Sequence, residues 1–414
     1  MSKGRKIMIK NIIALVLVLL VGVVVGLQLP RGAALIATIS SLGSGSNNDY
    51  AALKSNQAFE DFKALLDSTH QMVLNEAQTE QEAIEGMRWL LRVVSMSTEV
   101  AADANPQLPH FQRMDTEVRK VGGDNPDAEY HNVQINGQYD YIIRGTHRSD
   151  DYLSFTITGG LGMTERRGVG YINDQQLNRD AEGNFTLLLS KDAPDINAYG
   201  NNGVPANWIQ IPNDASGILV RQYMADRSLS EQATLAIEIL GQQPVYAPPS
   251  DQTIADSLIG TSYAFLKLTT LHKYVLPELL TETNQFVQTS SESLGSAISG
   301  EDNLYMIGSY QLADDEALVI TAQPPETRYW NLTLESRWHE THDYLHRPTS
   351  LTLSEVEYGT DGSVEFVVAH QDPGHPNWLD TSGYHFGFMT FRWLDSKGAA
   401  VSLPKAKVVK WDQL

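Results

Sequence analysis

From residue 59 the apolar side chains Phe59, Phe62, Leu66 and Val73 recur at helical spacing. Thr79 and Glu82 make a capping box ahead of Ala83, Met87, Leu90, Leu91 and Val94, so a second amphipathic helix follows the first. Past the turn-rich stretches 104–109 and 122–130 the period changes to two. Leu153, Phe155 and Ile157 face one way and Ser154, Thr156 and Thr158 the other, the pattern of a half-buried antiparallel strand. Runs at 139–145, 185–190, 207–211 and 218–224, divided by Gly, Asn, Asp and Pro clusters, predict further strands of a β-sandwich or jelly roll.

Ser228 with Glu231, the stripe Leu229, Ala233, Ala236, Ile237 and Leu240, and Gly241 at its end predict a helix. Helical spacing resumes through Ile254, Leu258, Phe265 and Leu268 to Pro277, before a Ser-rich piece that runs to Gly300. Strands return at 317–322, 329–335, 363–370 and 388–393. This second β region looks like a copy of the first: an offset of 170 places Asn207–Trp208 on Asn377–Trp378, Gly217 on Gly387 and Tyr223 on Trp393. At that offset Arg221 falls on Phe391, one position before Arg392, so the two arginines lie on opposite strand faces unless a bulge intervenes. With Met389, Phe391 and Trp393 on the core face, Arg392 points away from the core.

Residues 12–29 are almost wholly apolar and reach the length of a bilayer-spanning helix. Lys3, Arg5, Lys6 and Lys10 precede them and hold that end in the cytoplasm, which places the bulk of the chain outside. The run is longer than the apolar region of a cleaved secretory signal, and no clear cleavage site follows it, so an uncleaved anchor is expected. The fold class is then α+β: an N-terminal transmembrane helix, helical segments, and two antiparallel β-sandwich or jelly-roll-like modules that look duplicated. The expected divisions are 1–30 tail and anchor, 31–49 flexible stalk, 50–123 helical region, 124–226 first β module, 227–303 helical connector and 304–414 second β module. The expected location is the inner (cytoplasmic) membrane, single-pass, with most of the chain in the periplasm.

Composition sharpens this picture. The formal charge is −20, and without the four basic residues of the tail 26 basic side chains face 50 acidic ones, a charge of −24. Such a surface repels nucleic acid and anionic headgroups and keeps the protein soluble. The chain has no Cys, which excludes disulfides, thiolate nucleophiles and Cys-ligated metals. A P-loop, a G-x-S-x-G elbow and a dinucleotide-binding glycine motif are all missing. No cofactor is implied.

The last hundred residues carry a recognisable series: Trp330 to Thr333, Asp361 to Ser363, Asp372 to Gly374, Asn377 to Leu379, then Arg392 with Trp393. This series resembles a bacterial family known as a domain of unknown function, numbered twelve-fourteen. The likeness is looser over 124–226, where "DNPDAEYHNVQINGQYDYIIRG" carries it. It implies an often exported protein with β-sandwich parts and supplies no reaction. The His-rich "RWHETHDYLHRP" and "LDTSGYH" depart from the family pattern and inherit nothing from it.

Six of the eleven histidines lie between 339 and 385, which makes this region the place to look for chemistry. "HETH" is one residue short of a helical zinc motif. His342 and His346 have the i, i+4 spacing, but Pro348 and the flanking strands argue against a helix, so they are weak metal candidates and no metal site is assigned. Asp372, His375, Asp380 and His385 could serve acid–base catalysis if they converge, although Asp372 before Pro-Gly and Asp380 before Thr-Ser-Gly also suit ordinary turns. Asn377, Trp378, Arg392 and Tyr329 are candidate ligand contacts: the Trp for stacking on a ring, the Arg for a carboxylate or sulfate. The alternative is that each Asn-Trp pair plugs its sandwich and satisfies loop backbone. The function expected is a membrane-anchored binding or accessory protein of the envelope, its ligand a glycan or an amphiphile; the alternative is a hydrolase or lyase acting on an envelope glycan or a small imported compound.

Overall fold

A computed structural model describes residues 50–414 except 229, 242–246, 276, 290–301 and 396–400. The membrane span expected at 12–29 and the stalk expected at 31–49 therefore lie outside the described residues. Among the described residues no helix is long and apolar enough to cross a membrane.

Eighteen strands among the described residues form four sheets. The first nine are β1 (Gln112–Arg113), β2 (Ala128–Gln134), β3 (Tyr141–Thr146), β4 (Tyr152–Gly159), β5 (Arg167–Asn173), β6 (Asn184–Ser190), β7 (Asn207–Gln210), β8 (Ala215–Tyr223) and β9 (Thr234–Ile239). They make a five-stranded sheet ordered β1-β2-β8-β4-β5 over a four-stranded sheet ordered β7-β6-β3-β9. The second nine are β10 (Gln285–Gln288), β11 (Asn303–Gln311), β12 (Glu316–Ala322), β13 (Trp330–Glu335), β14 (Ser350–Thr352), β15 (Val364–Ala369), β16 (Trp378–Asp380), β17 (Phe386–Leu394) and β18 (Lys405–Lys410). Their sheets run β10-β11-β17-β13-β14 and β16-β15-β12-β18, the first pair with every strand moved on by nine. Even the one parallel pairing in each module repeats, β6 with β7 and β15 with β16. Topology thus bears out the duplication read from the sequence.

Each pair of sheets closes on its own core. In the first, Val133, Phe155, Ile218 and Val220 meet Tyr141, Ile143, Leu187 and Leu189; in the second, Met306, Leu332, Met389 and Phe391 meet Leu318, Ile320, Phe366 and Leu379. Ser154 and Thr156, expected to face water, are fully buried against the rest of the molecule. The Asn-Trp pairs perform one job twice. Asn207 accepts from Asn178 N (2.7 Å) and donates to Asn178 O and Thr186 O (both 3.0 Å). Asn377 accepts from Glu357 N (2.8 Å) and donates to Glu357 O (2.8 Å) and Glu365 O (2.9 Å). Each Asn welds a loop to a strand that would otherwise leave backbone groups unpaired.

Two helices, α1 (Lys54–Glu76) and α2 (Glu80–Ser97), form where the spacing predicts them, although Phe59 and Leu91 of the predicted stripes are exposed, and α3 (Asp251–Val275) comes back to pack on them. Thr79 caps α2 by accepting from Glu82 N (3.1 Å), as the capping box requires, while the Glu82 carboxylate turns back to Gln78 N (2.7 Å). The helix expected over 228–241 is instead β9. Leu235, Ile237 and Ile239 alternate and pack on the first core, and pairing with β3 overrides the helical spacing of Ala233, Ala236 and Leu240. Leu229, the first residue of that stripe, lies outside the described residues.

The His-rich segment after β13 carries the second module onto the helices. Trp338 stacks on Trp89 (centroids 5.2 Å apart) and donates Nε1 to Glu82 O (2.9 Å), while Arg337 reaches the Glu82 carboxylate (2.9 Å) and Arg92 reaches Glu340 (2.6 Å). This segment is not helical.

Candidate functional site

The five-stranded sheets each have a second face, turned away from their own core. These two faces meet. Tyr152 and Tyr223 of the first module pack with Tyr329 and Leu394 of the second, Tyr223 lying 5.0 Å from each of the other two rings. Farther along the same faces the sheets part and leave a cavity of about 190 Å³. Leu219 of β8, Ile307 of β11 and Phe388 of β17 form apolar walls, and Met96, Leu268, Leu271 and Leu279 from the helical side close over it.

Its polar floor is built from equivalent positions of the two modules. Arg221 sits opposite Tyr130 across β8 and β2, and Arg392 sits opposite Tyr305 across β17 and β11. All four line the cavity. No bulge falls between Gly217 and Tyr223: Ile218 and Val220 face the first core as Met389, Phe391 and Trp393 face the second, so plain alternation puts Arg221 and Arg392 on the same off-core side. Arg392 does point away from its own core, as expected, but into the interface and not into water.

Arg392 is 3 % exposed and Glu335 1 %, and their closest approach is 3.2 Å. The same Nη2 donates to Gly123 O (2.8 Å), whereas Nη1 has no hydrogen-bond partner among the described residues. Burial works against the guanidinium charge, and Glu335 together with Tyr130, Tyr329 and Tyr305 more than restores it. Burial likewise opposes the Glu335 charge. The His339 hydrogen bond (3.1 Å), Arg392 and a hydrogen bond from Thr390 (2.8 Å) hold its carboxyl below the ordinary range. Arg221 donates to Thr156 (3.0 Å) within the first module. Asp115, just past β1, lies in the cavity wall; burial, then the neighbouring Asp124, push its carboxyl up to about 8. The arrangement can receive a molecule that is mostly apolar and carries one group able to accept from a guanidinium.

The residues singled out in the sequence are spread out. Asp372 accepts from Gly374 N (2.8 Å) in an exposed turn, and His375 accepts from Asn377 N (3.1 Å). Asp380 is held by Arg347 (2.7 Å) and caps Ser382 N, while His385 faces Leu312 O (2.9 Å). None of these four lines the cavity, and each is engaged by a different local partner. His342 is buried, stacks on Tyr384 (4.7 Å) and is pushed down to about 3 by burial, then Lys120; His346 is exposed beside Asp343 (2.9 Å). Among the described residues no cluster of three or more His, Asp or Glu is placed to hold a metal. Trp378 is half-buried on the outer sheet and donates to Ala369 O (3.2 Å); Tyr329 hydrogen-bonds Asn125 and Asp127 beneath the interface. Of the candidate ligand contacts Arg392 reaches the cavity, where Arg221, the weaker anion anchor of the sequence, joins it.

Tyr130, Tyr305, Asp115 and Glu335 escaped sequence reading, and His339 was singled out only within "HETH". One signal was available. The non-core positions of β8 and β17 include Leu219, Tyr223, Phe386 and Phe388, which is too apolar for a face turned to water.

A family model described as "Protein of unknown function (DUF1214)" matches residues 126–227 and 309–397. No curated protein matches the chain. Among solved structures, an uncharacterised protein from Burkholderia cenocepacia is similar over 87% of this chain and 98% of its own, with 27% identity and a TM-score of 0.78. The VPA0106 protein from Vibrio parahaemolyticus is more distant, with 12% identity over 77% of this chain and 96% of its own and a TM-score of 0.46.

Proposed function

Because residues 126–227 and 309–397 belong to the DUF1214 family and supply Tyr130, Arg221, Glu335, His339 and Arg392 to one cavity, we propose that the protein binds an anionic amphiphile between its two β modules. The observation that carries this reading is the buried Arg392, whose Nη1 has no hydrogen-bond partner among the described residues while apolar walls surround it. A buried donor left unmatched costs about 1–3 kcal/mol, more when charged, and a ligand oxygen would recover it. The volume exceeds that of an engineered cavity of roughly 150 Å³ that holds benzene, which leaves room for an alkyl chain or a ring. The apolar walls favour an amphiphile over a glycan.

We further propose that residues 12–29 anchor the chain in the inner membrane with its acidic bulk outside, where it serves as a binding or accessory protein of the envelope. The support is the apolar length and the four basic residues before it. Protease treatment of spheroplasts should then digest the protein from outside; full protection would overturn the topology.

Calorimetric titration of the full chain with decanoate, decanol and maltose tests the ligand class. One decanoate per chain, with weaker binding of decanol and none of maltose, is the expected outcome. Maltose binding without decanoate binding would reverse the assignment.

A further inference from the structure

The second carboxyl in the cavity wall bears on the head group. Asp115 is 8 % exposed, and its Oδ1 has no hydrogen-bond partner among the described residues. It follows Met114, whose N–H pairs with Tyr130 O (2.9 Å), so β1 and β2 hold it beside Tyr130. The charges of Asp115, Arg221 and Arg392 all act on the Tyr130 hydroxyl, which places them round one floor.

An ionised Asp115 would be poorly placed there. Of the groups that face it, Asp124 in the following loop and Glu129 on β2 are acidic, and Arg113 on β1 is the basic one. Arg113 is shared with Glu117 (3.3 Å) and Glu129 (3.3 Å). Lys120 is turned to the carbonyls of Thr341 (2.9 Å) and His342 (2.6 Å). Elsewhere on the cavity wall Arg392 is matched to Glu335, which His339 also holds, and Tyr305 completes the titratable set.

Building on the anionic-amphiphile reading, we propose that Asp115 is the proton-bearing contact for the ligand head group: as a neutral acid it donates a hydrogen bond to the ligand carboxylate, and its ionisation expels the ligand. Arg392 then supplies the charge and Asp115 the proton. Burial first, and Asp124 second, push the Asp115 carboxyl up to about 8, so the neutral form prevails at neutral pH. The site thereby takes carboxylates at neutral and mildly acidic pH and releases them as the medium turns alkaline. The same donor keeps Asp115 from adding a negative charge to a floor that already holds the Glu335 carboxylate.

The test is decanoate affinity of the full-length chain from pH 6 to 10, where decanoate itself stays ionised. The wild type should bind evenly to about pH 8 and then weaken about tenfold per pH unit, the slope of one linked proton. Asp115→Asn, whose amide still donates, should bind throughout with a flat profile. A proton inventory on the wild type needs no variant: titrations in two buffers of different ionisation heat should show proton uptake on binding at pH 9 and none at pH 6. A flat wild-type profile, no proton uptake at pH 9, or the same alkaline fall in Asp115→Asn would overturn the role of Asp115 while leaving the amphiphile site standing. No decanoate binding at any pH would overturn both.

Discussion

The Arg392–Glu335 pair can be taken apart in a double-mutant cycle. Both side chains are at most 3 % exposed and their charges are 3.2 Å apart, so neither variant can relieve the remaining charge with water. Arg392→Met strands the Glu335 carboxylate with only His339 and Thr390, and also frees the carbonyl of Gly123. Removing one partner of a buried pair costs about 3–5 kcal/mol. Glu335→Gln strands the guanidinium and belongs in the same range. The double variant buries no stranded charge. Its loss should fall short of the sum of the two by about 2–3 kcal/mol, the upper range for residues in contact. Equilibrium urea unfolding of all four proteins measures this, compared through midpoints and slopes. Because the pair is out of solvent, the coupling should persist in 1 M salt, where surface charges are screened within about 3 Å. Additive losses, or a coupling that salt abolishes, would refute the buried pair and with it the floor of the cavity.

Other consequences can be measured on the same footing. Asn207→Ala and Asn377→Ala each remove the same three hydrogen bonds and should destabilise by similar amounts, about 2–3 kcal/mol, in urea unfolding; a loss confined to one module would contradict the equivalence. Gly86→Ala places a methyl 2.4 Å from Val73 Cγ1 and 3.0 Å from Trp338 Cζ2, so overpacking of about 1–3 kcal/mol should outweigh the helix gain of about 1 kcal/mol, seen as a lower Tm. Burial raises the Asp115 carboxyl, so between its ordinary value of 3.8 and about 8 the folded chain keeps a proton that the unfolded chain has lost. That contribution is present below this window and is lost as pH rises through about 8. Wild-type stability should therefore fall relative to Asp115→Asn from pH 5 to about 8, by up to about 1.4 kcal/mol per pH unit, and level off above that; parallel stability curves would mean that Asp115 titrates normally.

The strands of both sandwiches could be read because their core faces alternate strictly, and the repeat because Asn-Trp recurs with its backbone task intact. The segment 234–239 was misread because Ala233, Ala236 and Leu240 mimic a helical stripe, and only pairing with β3 decides for a strand. The cavity escaped for a different reason. It lies between two faces that local patterning assigns to water: Ser154 and Thr156 look like solvent-facing residues, yet both are fully buried. Arg392 was legible as a side chain turned from its core, yet its partner Glu335 and the parallel placement of Arg221 depend on pairing register. The histidines drew attention by number alone. Their segment instead delivers Trp338 to Trp89 and so fastens the second module to the helices.

The most direct measurement is photo-crosslinking of the full-length chain with a diazirine-bearing decanoate, followed by mass-spectrometric mapping of the labelled residues. Labels on Leu219, Leu268, Leu271 and Ile307, competed away by unmodified decanoate, are the expected result, since these side chains wall the cavity. Labels on the outer sheet around Trp378, or labelling that decanoate does not compete, would contradict a ligand held between the two modules.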